Sequence, residues 1–177
     1  MLVICSDSHA RSGHALSGRT LEAVREADLV VHAGDFTTTT VLDAFTEAAD
    51  RLLAVHGNAD NEEVRERLPG ARVLEYEGVT VAVTHRRDGG DLGLRMFGRE
   101  RGADLVVSGH THRPRFLETQ DVCLLNPGSH AQPRGNRPAH AELEATDQGL
   151  AGRLVQPDGT VFERFAVPAD GAREGQQ

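Results

Sequence analysis

Aspartate, asparagine and histidine side chains recur in this sequence shortly after short runs of apolar residues. Each can offer an oxygen or an imidazole nitrogen to a divalent metal ion. The residues concerned are Asp7, His9, Asp35, Asn58, His85, His110 and His112. A donor set without thiolates suits borderline ions such as Mn, Fe, Ni or Zn and is poor for a structural zinc site. These side chains therefore predict a site for divalent metal ions that is not a structural zinc site.

The apolar runs that precede these residues are typical of buried strands, because they are short and rich in β-branched residues and leucine. The predicted strands are Leu2–Cys5, Leu29–Val31, Leu52–Val55, Val79–Val83 and Leu105–Val107. Ligand sites in open α/β sheets are built at the carboxyl ends of strands, so we expect the donors to lie together. A glycine directly precedes Asp35, Asn58 and His110, and we expect it to let the chain turn sharply off each strand.

Segments with apolar residues at helical spacing alternate with these strands. The predicted helices are Thr20–Ala27, Val41–Ala49 and Asp91–Arg101, with the threonines from Thr37 to Thr40 as N-cap candidates for the second. After about residue 114 the pattern changes to short strands joined by turns. These are Arg115–Thr119, Val122–Leu125, Ala141–Glu144, Leu150–Val155 and Thr160–Ala166. A β-α-β region followed by a β meander predicts two sheets packed face to face with helices outside.

Each polar motif is weak by itself. Asp7-Ser8-His9 alone is more often a turn or a helix N-terminus, and His85 alone is more often an ordinary strand-end residue. His110 and His112 are stronger, since alternate residues of an extended segment face the same way. The occurrence of such motifs after all five predicted strands favours a metal centre over separate turns.

In their order along the chain, these motifs resemble those of the calcineurin-like metallophosphoesterases. The matching segments are Asp7-Ser8-His9, Gly34-Asp35, Gly57-Asn58, His85 and Gly109-His110-Thr111-His112. The short chain and close motif spacing resemble the small prokaryotic, YfcE-like phosphodiesterase branch. Asn126-Pro127-Gly128-Ser129 is also typical of that branch, although it could be a plain turn. The resemblance implies an α/β fold, a four-layer α/β/β/α sandwich of two mixed β-sheets flanked by helices.

The resemblance also implies a binuclear centre of two divalent metal ions, with manganese favoured and nickel, zinc, iron or cobalt as alternatives. One ion would be held by Asp7, His9, Asp35 and His112, and the other by Asp35, Asn58, His85 and His110. Asp35 would bridge the ions, and Asp35, Asn58 and His85 would take part in catalysis. The implied reaction is the hydrolysis of phosphate esters, with phosphodiesters favoured, by a hydroxide that bridges the ions.

Two positions depart from the family pattern. Ala59 stands where many relatives carry a histidine that contacts phosphate and can protonate the leaving group. Asp60 could orient the Asn58 loop, or be an ordinary turn aspartate, which we favour. Arg86 and Arg87 replace the glycine and histidine that often follow the ligand, and they could bind the substrate phosphate or be a solvated pair. We expect the remaining histidines to be structural or surface residues: His14, His32, His56, His130 and His140.

Composition limits the partners. The 177-residue chain has a net charge of −8 and no lysine, which excludes P-loop and Schiff-base lysine chemistry. The negative charge and the scarcity of aromatic residues disfavour nucleic acid, so we expect a small phosphate-ester substrate. Cys5 and Cys123 are predicted to be buried free thiols. The sequence has no basic leader and no long apolar segment, which predicts a cytoplasmic protein without membrane contact; a homo-oligomer stays open.

Residues 1–167 are therefore predicted to form a single metallophosphoesterase domain, and residues 168–177 a disordered tail. Two other functions compete. One is a non-catalytic interaction scaffold on the same fold, as in the retromer sorting subunit, and the other is a metal-dependent nuclease. The intact set of ligand-type residues favours an enzyme over a scaffold, and the acidic net charge counts against a nuclease.

Overall fold

The structure, a computed structural model, describes residues 1–169. Its helices are α1 (Gly18–Glu26), α2 (Thr39–Ala48), α3 (Glu62–Arg67) and α4 (Gly90–Arg99). Its strands are β1 (Leu2–Cys5), β2 (Leu29–His32), β3 (Leu52–Ala54), β4 (Ala71–Tyr76), β5 (Val79–Thr84), β6 (Leu105–Val107), β7 (Arg115–Glu118), β8 (Cys123–Asn126), β9 (His140–Thr146), β10 (Gly149–Val155) and β11 (Val161–Pro168). None of the helices in this part of the chain is long and apolar enough to cross a membrane.

The strands form two mixed β-sheets. One has six strands in the order β11-β10-β9-β1-β2-β3, with β1, β2 and β3 parallel and β9 antiparallel to β1. The other has five strands in the order β4-β5-β6-β8-β7, with β5, β6 and β8 parallel. The strands that precede the candidate ligands are all in these parallel sets. Their carboxyl ends therefore lie along the same edge of each sheet.

The pattern of alternate residues separates the layers. In β1, Leu2 and Ile4 pack in the core between the two sheets, while Val3 and Cys5 face the opposite side. That opposite side is covered by α1, α2 and α3, with Phe45 among the fully buried residues. A third cluster joins the five-stranded sheet to α4 through Phe97. The order helix, sheet, sheet, helix confirms the predicted four-layer sandwich.

Two elements, α3 and β4, were not predicted from the sequence. Helix α3 is short and highly charged, with Val64 as its one fully buried residue, so it has almost no apolar periodicity. Its start is defined by Asn61, whose side chain accepts a hydrogen bond from the Val64 N–H. Strand β4 is an edge strand with an exposed Val73, paired antiparallel to β5. Edge strands lack the continuous apolar pattern of central strands, which explains why β4 was missed, whereas α3 was missed because it lacks apolar periodicity.

The predicted meander divides between the two sheets. Strands β9, β10 and β11 form a true antiparallel meander in the six-stranded sheet. Strands β7 and β8 form a hairpin in the other sheet, where β8 lies parallel to β6. The sequence pattern of short strands and turns is the same in both cases, so it does not distinguish the sheet that each strand joins.

Smaller predictions have mixed outcomes. Cys5 and Cys123 are buried and form no disulfide within the described residues, as predicted, and burial raises the pKa of Cys5 to about 12. Thr38 is the N-cap residue of α2, but its side chain makes no capping hydrogen bond. The proposed tail begins at Pro168, which is the last residue of β11. From residue 170 onward, that prediction lies outside the described residues.

Candidate metal centre

The predicted ligands lie in loops that follow β1, β2, β3, β5 and β6, and most of them share an unusual backbone conformation. Five have positive φ angles: Asp7 at 53°, His9 at 42°, Asp35 at 63°, His110 at 71° and His112 at 57°. Left-handed backbone is uncommon for residues other than glycine and persists only where surrounding contacts hold it. The loops therefore leave their strands in a strained geometry that directs these side chains toward one centre.

The Asp7 carboxylate has one oxygen engaged by protein and one left open. Its Oδ2 accepts hydrogen bonds from the Ser6 hydroxyl at 2.7 Å and the His110 N–H at 2.9 Å. Its Oδ1 is buried and has no hydrogen-bond partner among residues 1–169. This oxygen lies 3.4 Å from His112 Nε2 and 3.8 Å from His9 Nε2. Burying a carboxylate oxygen without a partner is costly, so the geometry calls for a cation at this point.

The two carboxylate oxygens of Asp35 also differ in their contacts. Its Oδ1 accepts the Ala59 N–H at 2.8 Å, while its Oδ2 lies 3.2 Å from both His9 Nε2 and His85 Nε2. Burial by itself would raise the pKa of Asp35, but the His85 and His9 rings hold it far below its ordinary value. Asp35 is therefore a permanent anion at the middle of the cluster.

Backbone carbonyls set the orientation of two histidine rings. His85 Nδ1 donates to the Ala33 carbonyl at 2.8 Å, and His112 Nδ1 donates to the Gln132 carbonyl. With Nδ1 held by a carbonyl, each Nε2 faces the carboxylates, and it offers a lone pair to a metal ion once any proton on it is displaced. Metal-ligating histidines are commonly fixed in this way by a partner on the other ring nitrogen.

Asn58 and His110 complete the outer side of the cluster. Asn58 Oδ1 lies 3.0 Å from His85 Nε2 and 2.9 Å from His110 Nδ1. Burial and the neighbouring His85 lower the pKa of His110, so its ring is neutral near pH 7. A neutral imidazole and an amide oxygen are both competent donors to a divalent ion.

These donors fall into two overlapping groups that could each hold an ion. Asp7, His9 and His112 form one, and Asp7, Asp35 and His85 form the other, with ligand atoms within 4.8 Å of one another in each. His9 Nε2 is buried without a hydrogen-bond partner in the described chain. The nearby carboxylates of Asp35, at 3.2 Å, and then Asp7, at 3.8 Å, raise the pKa of His9 to about 9, so a cation is favoured there even without metal. The residues present fit divalent metal binding.

The structure thus brings all seven predicted ligands together. Asp7 belongs to both groups, whereas the sequence assigned the shared position to Asp35. Asp35 Oδ2 is nevertheless equally distant from a histidine of each group. The assignment of a bridge to Asp35 stays a prediction.

Asp60 has a larger role than the sequence indicated. It is buried, and its Oδ2 accepts hydrogen bonds from the N–H groups of Asp35 at 3.0 Å and Gly57 at 2.7 Å. Its Oδ1 accepts the Thr37 N–H at 2.7 Å. The sequence favours an ordinary turn aspartate, but Asp60 joins the loop after β2 to the loop after β3 and so positions two candidate ligands.

The glycines before the ligands serve two different purposes. Gly34 has φ of 100°, so it provides the sharp turn that we expected. Gly57 and Gly109 are needed for space. A Cβ on Gly57 would lie 2.2 Å from Asp35 Oδ1, and one on Gly109 would lie 2.5 Å from Asp7 Oδ2.

The segment after β8 also supports the site, and the sequence left its role open between a family motif and a plain turn. Asn126 Nδ2 donates to the Gly109 carbonyl at 2.9 Å, which holds the loop that carries His110. The Ser129 hydroxyl donates to the Asp7 carbonyl at 2.7 Å. The only sequence signal for these contacts was the resemblance of the motif to the YfcE-like branch.

The remaining predicted residues lie around the cluster. Arg86 and Arg87 line a cavity beside His85, and the Arg87 guanidinium lies 4.3 Å from the centroid of the Phe97 ring. Ala59 is exposed next to Asn58. Of the histidines without a predicted ligand role, three are buried and hydrogen-bonded in the interior: His32, His130 and His140. The others, His14 and His56, are partly exposed.

Comparisons with known proteins identify the family of this chain. The profile of the calcineurin-like phosphoesterase superfamily domain matches residues 1–148. A "probable metallophosphoesterase" of Methanocaldococcus jannaschii is 34% identical over 160 residues, which cover 88% of this chain and 80% of that protein. The phosphodiesterase YfcE of Escherichia coli K12 is 30% identical over 133 residues, which cover 72% of this chain and 69% of that protein.

Solved structures share the fold at lower identity. Vps29 of Entamoeba histolytica, determined with zinc, superposes with a TM-score of 0.76 at 22% identity, covering 93% of this chain and 97% of the other. A conserved Streptococcus pneumoniae protein superposes with a TM-score of 0.69 at 24% identity, covering 93% and 95%. At these identities the two structures support the fold alone. The domain profile and the metallophosphoesterase relatives, together with the motif order, show that the chain belongs to the calcineurin-like phosphoesterase superfamily.

Proposed function

We propose that this protein is a divalent-metal-dependent phosphodiesterase. It would hold two ions among the loops at the carboxyl ends of the strands in its two sheets. The observation that supports this most strongly is the pair of inward carboxylate oxygens. Asp7 Oδ1 is buried without a protein partner, and Asp35 Oδ2 lies 3.2 Å from two histidine nitrogens. A cluster of this kind has enough donor atoms to bind more than one cation.

The donor chemistry favours manganese, with nickel, zinc, iron and cobalt as alternatives. The ligands are carboxylates, imidazoles and one amide oxygen, with no cysteine among the grouped donors, and Cys5 is buried with a raised pKa. The proposed sets are Asp7, His9, Asp35 and His112 for one ion, and Asp35, Asn58, His85 and His110 for the other. Two ions bound in this way would neutralise phosphate charge and supply an ionised water near neutral pH.

The chain's own residues would orient the substrate. The Ala33 carbonyl accepts a hydrogen bond from His85 Nδ1 and so keeps Nε2 directed toward Asp35, where the proposed ion would bind the substrate phosphate. Arg86 and Arg87 line the same cavity as His85, where a guanidinium can pair with a phosphate oxygen. Their position supports substrate binding over the alternative of a solvated pair.

Three further assignments accompany this proposal. The substrate is a small phosphate ester, the protein acts in the cytoplasm, and residues 1–167 form the working domain. A scaffold role is disfavoured because a protein that only binds partners has no need of a buried carboxylate oxygen without a partner, as at Asp7, on a backbone of positive φ. A nuclease role is disfavoured by the net charge of −8.

The direct test is turnover of bis(p-nitrophenyl) phosphate by the purified protein before and after chelation, followed by addition of single metals. We expect chelation to abolish turnover and Mn, Ni or Co to restore it, with elemental analysis approaching two ions per chain. A panel of monoesters, diesters and cyclic nucleotides would then rank the substrates. Full activity in protein shown to contain no metal would refute the proposal.

A further inference from the structure

A cavity of about 700 Å³ lies on the α4 side of the five-stranded sheet. His85 and His110 are among its lining residues, so it adjoins the candidate metal centre. Its size is within the range of small-molecule sites. The loop after β5 and Asn136 from the loop before β9 also line it. Most of the residues that line this cavity do not belong to the metal-ligand motifs.

The charge of the cavity is opposite to that of the chain. Arg86, Arg87, Arg113 and Arg115 all line it, against only two aspartates, Asp88 and Asp91. The whole protein has a net charge of −8, so a positive lining requires clustering of its arginines. Arg115 is partly neutralised, because its guanidinium makes a bidentate pair with Asp91 at 2.9 and 2.8 Å. A bidentate arginine also matches the geometry of a phosphate group.

Part of the cavity lining is apolar. Leu94 of α4, Leu117 of β7 and Leu124 of β8 line it together with the arginines; Leu94 and Leu117 are half-buried and Leu124 is buried. Apolar side chains beside several arginines are suited to a ligand with an organic body and an anionic end. The metal centre would hold a first phosphate, and the arginines could hold a second.

Building on the proposed phosphodiesterase activity, we propose that this cavity is a subsite for a second phosphate on the substrate. The substrate class is a phosphodiester whose organic group carries a terminal phosphate, as in a short linear dinucleotide with a 5′ phosphate. The scissile diester would lie at the metal centre, the organic group over the leucines, and the terminal phosphate among the arginines.

The test compares ligands that differ only in the terminal phosphate. The ligands are two adenosine dinucleotides joined by a phosphorothioate diester, one with a 5′ phosphate and one without. The phosphorothioate linkage resists hydrolysis, so calorimetry can measure the binding of each to the full protein in the presence of Mn. We expect the 5′-phosphorylated compound to bind at least about tenfold more tightly. Equal affinities would overturn the proposal. Turnover of the corresponding oxygen diesters, measured separately, tests the phosphodiesterase activity itself, so the two ideas can fail independently.

Two opposite substitutions show whether the cavity is the cause. Asp91→Asn frees Arg115 and should increase the preference for the 5′ phosphate, whereas Arg115→Gln should reduce it. Both residues are about half exposed, so neither change should prevent folding. Arg164→Gln is the matched control, since Arg164 is an exposed arginine of β11 outside the cavity lining. If Asp91→Asn and Arg115→Gln leave the preference unaltered, the terminal phosphate binds elsewhere, such as at the metals, and the subsite is refuted.

Discussion

Replacement of Asp60 by asparagine tests whether this residue holds the metal centre together. The wild-type carboxylate accepts three backbone hydrogen bonds, from Asp35, Gly57 and Thr37. Two of the donors have strained backbone, with φ of 63° at Asp35 and 93° at Thr37. Positive φ is especially unfavourable for a β-branched residue such as threonine, so the contact to Asp60 offsets a real cost.

The magnitude follows from the geometry. An asparagine has one accepting oxygen, which in its best rotamer keeps the two contacts to Asp35 and Gly57. Its amide NH₂ would then face the Thr37 N–H, so one charge-assisted hydrogen bond is lost and two donors oppose each other. We expect a loss of about 2–3 kcal/mol in the free energy of unfolding. Because Asp35 is then less firmly held, we expect metal affinity to fall about 10- to 100-fold.

The assays are urea unfolding in EDTA for stability and calorimetric titration with Mn for metal affinity. Asn61→Ala is a close control, since Asn61 is the next residue and only caps α3. It should cost about 1 kcal/mol of stability and leave metal affinity intact. An Asp60→Asn protein that binds Mn as tightly as wild type would show that Asp60 does not position the centre.

Three further predictions concern a ligand, the missing acid and a buried ion pair. Asp35→Asn should lower turnover by several orders of magnitude and reduce bound metal by elemental analysis while the protein stays folded; unchanged metal content would refute the assigned bridge. Ala59→His should raise rates on alkyl diesters selectively and barely change nitrophenyl diesters, because a general acid contributes about 10²- to 10⁴-fold where the leaving group is poor. A shallow dependence of the wild-type rate on leaving-group pKa would mean that another residue already supplies the proton. Glu142 is buried and paired with Arg19 at 2.8 Å and His140 at 2.9 Å. Burial opposes its ionisation, but His140 and the arginines hold the pKa of Glu142 well below its ordinary value of 4.5. Its stabilisation should therefore be complete above about pH 4.5 and decline as the pH falls below that value. Glu142→Gln should cost about 3 kcal/mol at pH 7 and flatten this acid dependence in urea unfolding; an equal acid dependence in both proteins would contradict the pairing.

Much of the architecture, and the meeting of the donor side chains, could be predicted from local patterns. A short apolar run followed closely by a donor residue is a local signal, and it located β1, β2, β3, β5 and β6 to within a residue or two at either end. Parallel strands in an α/β sheet bring their carboxyl ends to one edge, so the donors of separate loops were expected to meet. Their types predicted a divalent metal, because side-chain chemistry needs no tertiary information.

Elements without a strong local pattern were missed. Helix α3 is charged on most faces, and β4 is an edge strand with alternating exposure. Strands β7 and β8 join the five-stranded sheet, whereas β9, β10 and β11 join the six-stranded sheet. Which sheet a strand joins depends on where the rest of the chain leaves a strand edge to pair with. That is a non-local choice, so turn and strand propensities do not encode it.

Only the tertiary structure decided which atoms are free to bind a ligand. Asp60 is an ordinary aspartate in the sequence, but three backbone donors from two loops converge on it in the fold. Asp7 has an open Oδ1 only because Ser6 and His110 occupy its Oδ2. Likewise, Asp91 and Arg115 are 24 positions apart and form their pair only when α4 packs beside β7. The residue types that can do chemistry are written in the sequence, whereas hydrogen bonding between distant segments determines which of their atoms remain available to do it.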